Sequence, residues 1–201
     1  MVYYRVTGNT LRSTYLIIVS PIRRARETLG ASSTLGSFAY KGMDTNALSI
    51  TIADKTKQKF QTYFSTSVWQ RIGAEHSAFM QVDRNRDASA NGGMGATARD
   101  WARLAIYIRD KSRESSCIGE YLRTATSPQI SNRTDTGNLF SSYGFQFWTG
   151  NQITQTKSAW LNGFDGQRIG IDLSTGKIIV LLSNELGAVR NTYELFDRWI
   201  R

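Results

Sequence analysis

Tyr40 stands just ahead of a stretch, residues 44–55, whose apolar side chains Ala47, Leu48, Ile50, Ile52 and Ala53 favour a helix over a strand. A tyrosine at that place can present its phenol to a cleft. The positive end of the helix, together with Lys41, would then favour the phenolate. The competing reading is a tyrosine used only for packing. A second candidate is Ser174-Thr175-Gly176-Lys177. On the first turn of a helix this spacing would bring a lysine amine to a serine hydroxyl and activate it as a nucleophile. Here the pair lies between two apolar runs, and Ser-Thr-Gly reads as an ordinary hairpin turn. Asn91-Gly92-Gly93-Met94-Gly95 is rich in glycine, as phosphate-cradling loops are. It lacks the Lys-Ser/Thr pair that follows in such loops and the strand that precedes them, so it reads as a tight turn. The chain has one histidine, His76, and one cysteine, Cys117. They suggest no metal ligand set and no Cys-His dyad, and one cysteine excludes an internal disulfide. No cofactor is implied.

These residues need elements to hold them. Residues 60–68 read as a second helix, with Phe60, Phe64 and Val68 on one face, closed by residues 69–73. The clearest helix covers residues 98–111. Thr97 is a good N-cap, Asp100 follows three residues later, and Trp101, Leu104, Ala105 and Ile108 recur at helical spacing. From residue 143 the period changes, and residues 143–148, 158–161, 166–172 and 177–183 read as strands. The run 178–182 is continuously apolar, which suits a strand buried on both faces. Residues 192–200 close the chain with a helix whose apolar face is Tyr193, Phe196, Trp199 and Ile200. Near the start, residues 2–6 and 15–19 suit strands and residues 22–29 a short helix. Helices before and after an antiparallel meander indicate an α+β architecture.

With 201 residues and two prolines, the composition fits one ordinary domain without a proline-rich linker. The apolar run at residues 16–19 is too short for a membrane span or a secretory core, and no compartment is indicated. The net charge of +9 permits a nucleic-acid partner. The basic residues are scattered, however, and often adjoin acids, as in Arg99-Asp100 and Arg109-Asp110-Lys111, so none is expected.

Four segments, in order, carry a resemblance to a known family. They are Tyr40-Lys41-Gly42-Met43-Asp44-Thr45-Asn46-Ala47-Leu48, Val68-Trp69-Gln70-Arg71-Ile72-Gly73-Ala74-Glu75-His76, the block from Gly92-Gly93 through Thr97-Ala98-Arg99-Asp100 to Arg103, and Tyr143-Gly144-Phe145-Gln146-Phe147-Trp148 with Gly163-Phe164-Asp165-Gly166-Gln167. Together they resemble the class C β-lactamase-related serine hydrolases, in the branch of the 6-aminohexanoate-dimer hydrolases. The resemblance covers residues 36–201, and residues 1–35 match poorly.

The resemblance implies an α+β fold of the β-lactamase/transpeptidase type, an antiparallel sheet with flanking helices. It also implies an acyl-enzyme mechanism on a small amide or ester. Tyr40 takes the place of the proton-shuttling tyrosine. Gly42 falls where relatives carry Ser or Asn. Asp165, Gly166 and Gln167 fall at the substrate-facing strand, with Phe164-Asp165-Gly166 in place of the segment that carries a cation in relatives, and an N–H there can serve an oxyanion. The family's Ser-x-x-Lys precedes its tyrosine, and none of the residues before Tyr40 forms that motif. The expectation is therefore the C-terminal portion of a larger domain, inactive alone and prone to self-association through an exposed sheet edge. Two alternatives are a non-catalytic binding or scaffold domain of the same fold and a basic nucleic-acid binder.

Overall fold

A computed structural model describes residues 38–132, 139–154, 156–184 and 189–201. The segments 2–6, 15–19 and 22–29 discussed above lie outside the described residues. The described chain falls into two compact units.

The first unit contains Tyr40–Arg71 and Ala78–Gly95. Its helix α1 is Gly42–Thr56, and α2 is Phe60–Phe64, which runs on into a π-helical turn, Ser65–Trp69. The expected helix over 60–68 thus exists but widens midway: Gln70 N–H donates to the Ser65 carbonyl, one residue further back than an α-helix allows. Phe60, Phe64 and Trp69 stack along its inner side. Lys57 ends α1 in a left-handed conformation, φ 56°. Two short strands, β1 (Phe79–Met80) and β2 (Met94–Gly95), pair antiparallel. The loop between them is fastened to the start of α2 by exposed side chains. Lys59 Nζ donates to the carbonyls of Asn85 (2.8 Å) and Arg86 (3.2 Å) and pairs with Asp87 (3.3 Å), while Gln61 Nε2 donates to the Arg86 carbonyl at 2.7 Å.

The second unit contains residues 38–39, Ile72–Ser77 and Ala96–Arg201. Helix α3 is Ala98–Ser112 and α4 is Cys117–Ala125. Both begin where the sequence supplies a cap: Thr97 Oγ1 accepts from Asp100 N–H, and Ser116 Oγ from Gly119 N–H. Six antiparallel strands follow in chain order: β3 (Ile130–Ser131), β4 (Phe140–Tyr143), β5 (Trp148–Asn151), β6 (Ser158–Asn162), β7 (Arg168–Asp172) and β8 (Ile178–Leu181). Helix α5, Val189–Ile200, ends the chain.

Alternation along the strands sends neighbouring side chains to opposite faces. On one face Ala159, Ile169 and Ile171 pack with Ala105 and Ile108 of α3 and Leu122 and Ala125 of α4. On the other, Phe140 and Trp160 pack with Tyr193, Phe196 and Ile200 of α5. Gly170 is required by this second layer, because a Cβ there would lie 2.6 Å from the Trp160 ring. The described sheet is thus an open α+β layer structure, as the sequence implied, with six strands rather than the four expected.

Two expectations need correction. Residues 143–148 are not one strand. They form the turn between β4 and β5, with Gly144 N–H donating to the Phe147 carbonyl at 2.8 Å and Gln146 left-handed at φ 65°. The alternating Tyr143, Phe145 and Phe147 imitate strand period. The burial of β8 is only partial: both faces are covered, Ile178 and Val180 packing on the α3–α4 side and Ile179 on the α5 side, but each residue of the strand stays partly exposed. It is the last strand in the sheet order, and among the described residues it pairs only with β7.

Candidate functional site

Tyr40 immediately precedes Lys41, the N-cap of α1, whose extended backbone (φ −133°, ψ 113°) turns the chain into the helix. The tyrosine is 60% exposed. The Lys41 side chain makes no capping hydrogen bond, and the positive end of the helix dipole lies close to Tyr40 in the chain. Gly42, the first helical residue, is constrained by proximity: an added Cβ would lie 2.7 Å from Asn91 Nδ2. A residue with no apparent role in the sequence fixes this arrangement. Asn46 is fully buried, and its Oδ1 accepts from the N–H groups of Ala90 (3.0 Å) and Asn91 (3.2 Å). The glycine-rich segment 91–95 therefore acts as a backbone partner of α1. The one local signal was a polar residue four positions after Gly42, on the side of α1 that faces inward.

Asp165, Gly166 and Gln167 come together in the second unit, in a 3-10 turn, Phe164–Gly166, between β6 and β7. Asp165 (φ 53°) and Gly166 (φ 84°) are both left-handed. The turn is held at both ends. Gly163 N–H donates to the Gln167 carbonyl at 2.9 Å. Arg168 Nη1 donates to the carbonyls of Gly163 and Gln167, each at 2.7 Å. The Gln167 side chain bridges to Ser183, donating to its carbonyl and accepting its N–H at 3.3 Å. This leaves Phe164, 81% exposed, and the half-exposed Asp165 at the tip of a stiff turn. Arg168 could not be foreseen from spacing, because a basic residue in a strand more often faces solvent.

The serine–lysine pair is disarmed by its surroundings. Ser174 Oγ donates to Asp172 Oδ1 at 2.6 Å, while Lys177 Nζ donates to the Trp199 carbonyl at 2.5 Å. Asp172 Oδ1 also accepts from the N–H groups of Ser174 and Thr175. Burial alone would raise the Asp172 carboxyl, but these hydrogen bonds hold it below the usual carboxylate range. The motif is a carboxylate-organised hairpin turn, as its composition suggested.

The capping box reaches further than its own helix. Asp100 is fully buried and accepts from the N–H groups of Glu75 (2.8 Å) and His76 (3.3 Å), from the Thr97 hydroxyl (2.8 Å) and from Arg103 (3.1 Å). Arg103 also pairs with Glu75, and His76 Nδ1 lies 3.4 Å from Asp100. His76 is thus a surface residue on a structural carboxylate. Cys117 is exposed at the first position of α4. Among the described residues no cluster of three or more His, Cys, Asp or Glu side chains could hold a metal ion. No described helix is long and apolar enough to cross a membrane.

Six meandering strands between two helical layers, with the tyrosine segment on a separate helical unit, define a class. A Beta-lactamase family profile matches residues 24–198, and the chain belongs to that family. It is 28% identical over 170 residues to the 6-aminohexanoate-dimer hydrolase of Paenarthrobacter ureafaciens, which covers 78% of this chain and 42% of that protein. The putative 6-aminohexanoate-dimer hydrolase from Bacillus anthracis shares the fold with a TM-score of 0.65 at 22% identity, over 84% of this chain and 46% of its own. The octameric penicillin-binding protein homologue from Pyrococcus abyssi gives 0.72 at 14% identity, over 92% and 48%. The chain spans less than half the length of each of these relatives.

Proposed function

We propose that the chain is the tyrosine-bearing, substrate-facing portion of a serine hydrolase acting on small amides or esters, and that on its own it binds such substrates without turning them over. The observation that carries the reading is the exposed Tyr40 at the uncapped N-terminus of α1, in a chain of this family. In this reading Tyr40 relays the proton, and Gly42 stands at the helix start with the Asn91 amide in the space where relatives carry a side chain. By the same family likeness, Asp165, Gly166 and Gln167 of the second unit are assigned to substrate recognition; the Gln167 N–H is held by the Phe164 carbonyl at 3.3 Å, so an oxyanion contact would fall to the N–H of Asp165 or Gly166. The silence of the isolated chain follows from the nucleophile. No Ser-x-x-Lys precedes Tyr40, and Ser174 and Lys177 are each committed to other partners.

A fluorophosphonate probe should leave the purified chain unlabelled, and a chromogenic β-lactam should not be hydrolysed. Short aminoacyl amides should still raise its melting temperature. Serine labelling with turnover would refute the inactivity, and no binding of any amide or ester would refute the substrate-facing role.

A nucleic-acid partner is disfavoured in this reading. Several basic side chains are already paired, as in Lys59–Asp87, Arg103–Asp100, Arg109–Asp110 and Lys111–Glu114. We include self-association in the proposal. Among the described residues β8 pairs only with β7, and Ile178, Ile179, Val180 and Leu181 carry no charge or proline to block strand addition at its other edge. Sedimentation should show mass rising with concentration, and Val180→Lys should abolish the rise. A monomer at all concentrations would disprove it.

A further inference from the structure

The sequence contains two Asn-Gly pairs, Asn91-Gly92 and Asn162-Gly163, the dipeptide most open to spontaneous cyclisation. The fold treats them differently. Asn162 ends β6 and is paired in the ladder with Arg168, and Gly163 N–H is engaged by the Gln167 carbonyl at 2.9 Å. Tyr193 Oη donates to Asn162 Oδ1 at 3.4 Å. A nitrogen held in a backbone hydrogen bond is not available for attack, and a strand backbone does not turn back on its own side chain. Asn91 and Gly92 are both exposed, in a bend before β2, and apart from the two chain neighbours no atom lies within 4 Å of where a Cβ on Gly92 would stand. Ser89 Oγ donates to Asn91 Oδ1 at 2.6 Å, which draws electron density from the amide carbon.

We propose that Asn91 is a built-in modification site of this protein, a self-deamidating asparagine. The Gly92 backbone nitrogen loses its proton to solvent base and attacks Asn91 Cγ. The new N–C bond closes a succinimide, and the side-chain nitrogen leaves as ammonia. Water then opens the ring at one carbonyl or the other, giving aspartate or isoaspartate. The Ser89 hydrogen bond stabilises the oxygen as it gains charge in the attack.

The position gives the change a local consequence. Asn91 Nδ2 borders Gly42 at the uncapped start of α1, so the aspartate product sets a carboxylate at the positive end of that helix. The isoaspartate product instead adds a backbone atom to the segment whose N–H groups Asn46 Oδ1 accepts.

The test is incubation of the full folded chain at physiological temperature and mildly alkaline pH, followed by peptide mapping and enzymatic isoaspartate methylation. The Asn91 peptide should gain the mass of an acid and accept methyl groups, while the Asn162 peptide stays unchanged. In a strong denaturant both should convert at comparable rates, because the fold alone distinguishes them. Gly92→Ala should strongly slow the conversion, and Ser89→Ala should slow it partially. Conversion of Asn162 as fast as Asn91 in the folded chain, or no conversion at Asn91, overturns the proposal. An unchanged rate in Ser89→Ala overturns the part assigned to the serine.

Discussion

Replacing Trp160 by alanine is expected to lower the unfolding free energy by about 3–5 kcal/mol, the cost of emptying a large, fully packed core position. Trp160 is 0% exposed at the middle of β6. Its ring meets Tyr193 edge-on at 4.7 Å and Phe196 at 5.1 Å, and Phe140 lies at 6.4 Å. Three aromatic neighbours on two elements cannot collapse into the vacated space together. The indole N–H also donates to Ser158 Oγ at 2.9 Å, and truncation leaves that buried hydroxyl short of a donor. Domains of ordinary size hold only about 5–15 kcal/mol of stability, so the variant sits near the threshold of folding. Trp199→Ala is the control. That ring is half-exposed, and its loss should cost a small fraction as much. Urea unfolding followed by circular dichroism measures both. A loss below about 1 kcal/mol for Trp160→Ala would mean that α5 is not seated on the sheet as described.

Asp100→Asn should produce the next largest loss, and the loss should depend on pH. Burial by itself would raise the Asp100 carboxyl. The N–H of Glu75, the Thr97 hydroxyl, the N–H of His76 and the Arg103 charge outweigh burial and leave it below its ordinary value of 3.8. A carboxyl that titrates lower folded than unfolded contributes stability that is fully present above the unfolded value. That contribution fades as pH falls through the lower folded value. The wild type should therefore exceed Asp100→Asn most near neutrality, and the two should converge in strong acid. The amide cannot substitute, because its NH2 would face donors already aimed at a carboxylate. Melting temperatures across that range provide the readout. A gap that stays constant from neutral to strongly acidic pH would show that charge is not what Asp100 supplies.

Local chemistry made parts of the structure legible in advance. The capping box at Thr97 and Asp100, the hairpin at residues 174–176 and the Tyr193, Phe196 and Ile200 part of the apolar face of α5 are each written within a few residues, whereas Trp199, expected on that face, is exposed. What stayed hidden depends on neighbours distant in the chain. Asn46 looks like any helix-surface asparagine until residues 90 and 91 arrive beside it. Asp100 looked like a cap alone, although it also gathers residues 75 and 76. The run 178–181 has the composition of an interior strand, and composition does not record whether a strand has a neighbour on each side. Tyr40 was singled out correctly as lying at a helix start, but its place in the chemistry rests on the family and not on spacing.

The order of the sheet has a kinetic meaning. Every strand from β3 to β8 hydrogen-bonds to the strand next to it in the chain, with no crossover to bring distant segments together. Each pairing closes only a short loop, and the entropy of loop closure grows with the length closed. Topologies dominated by such near-neighbour contacts fold quickly for their size. The meander can therefore assemble from its own residues, hairpin by hairpin.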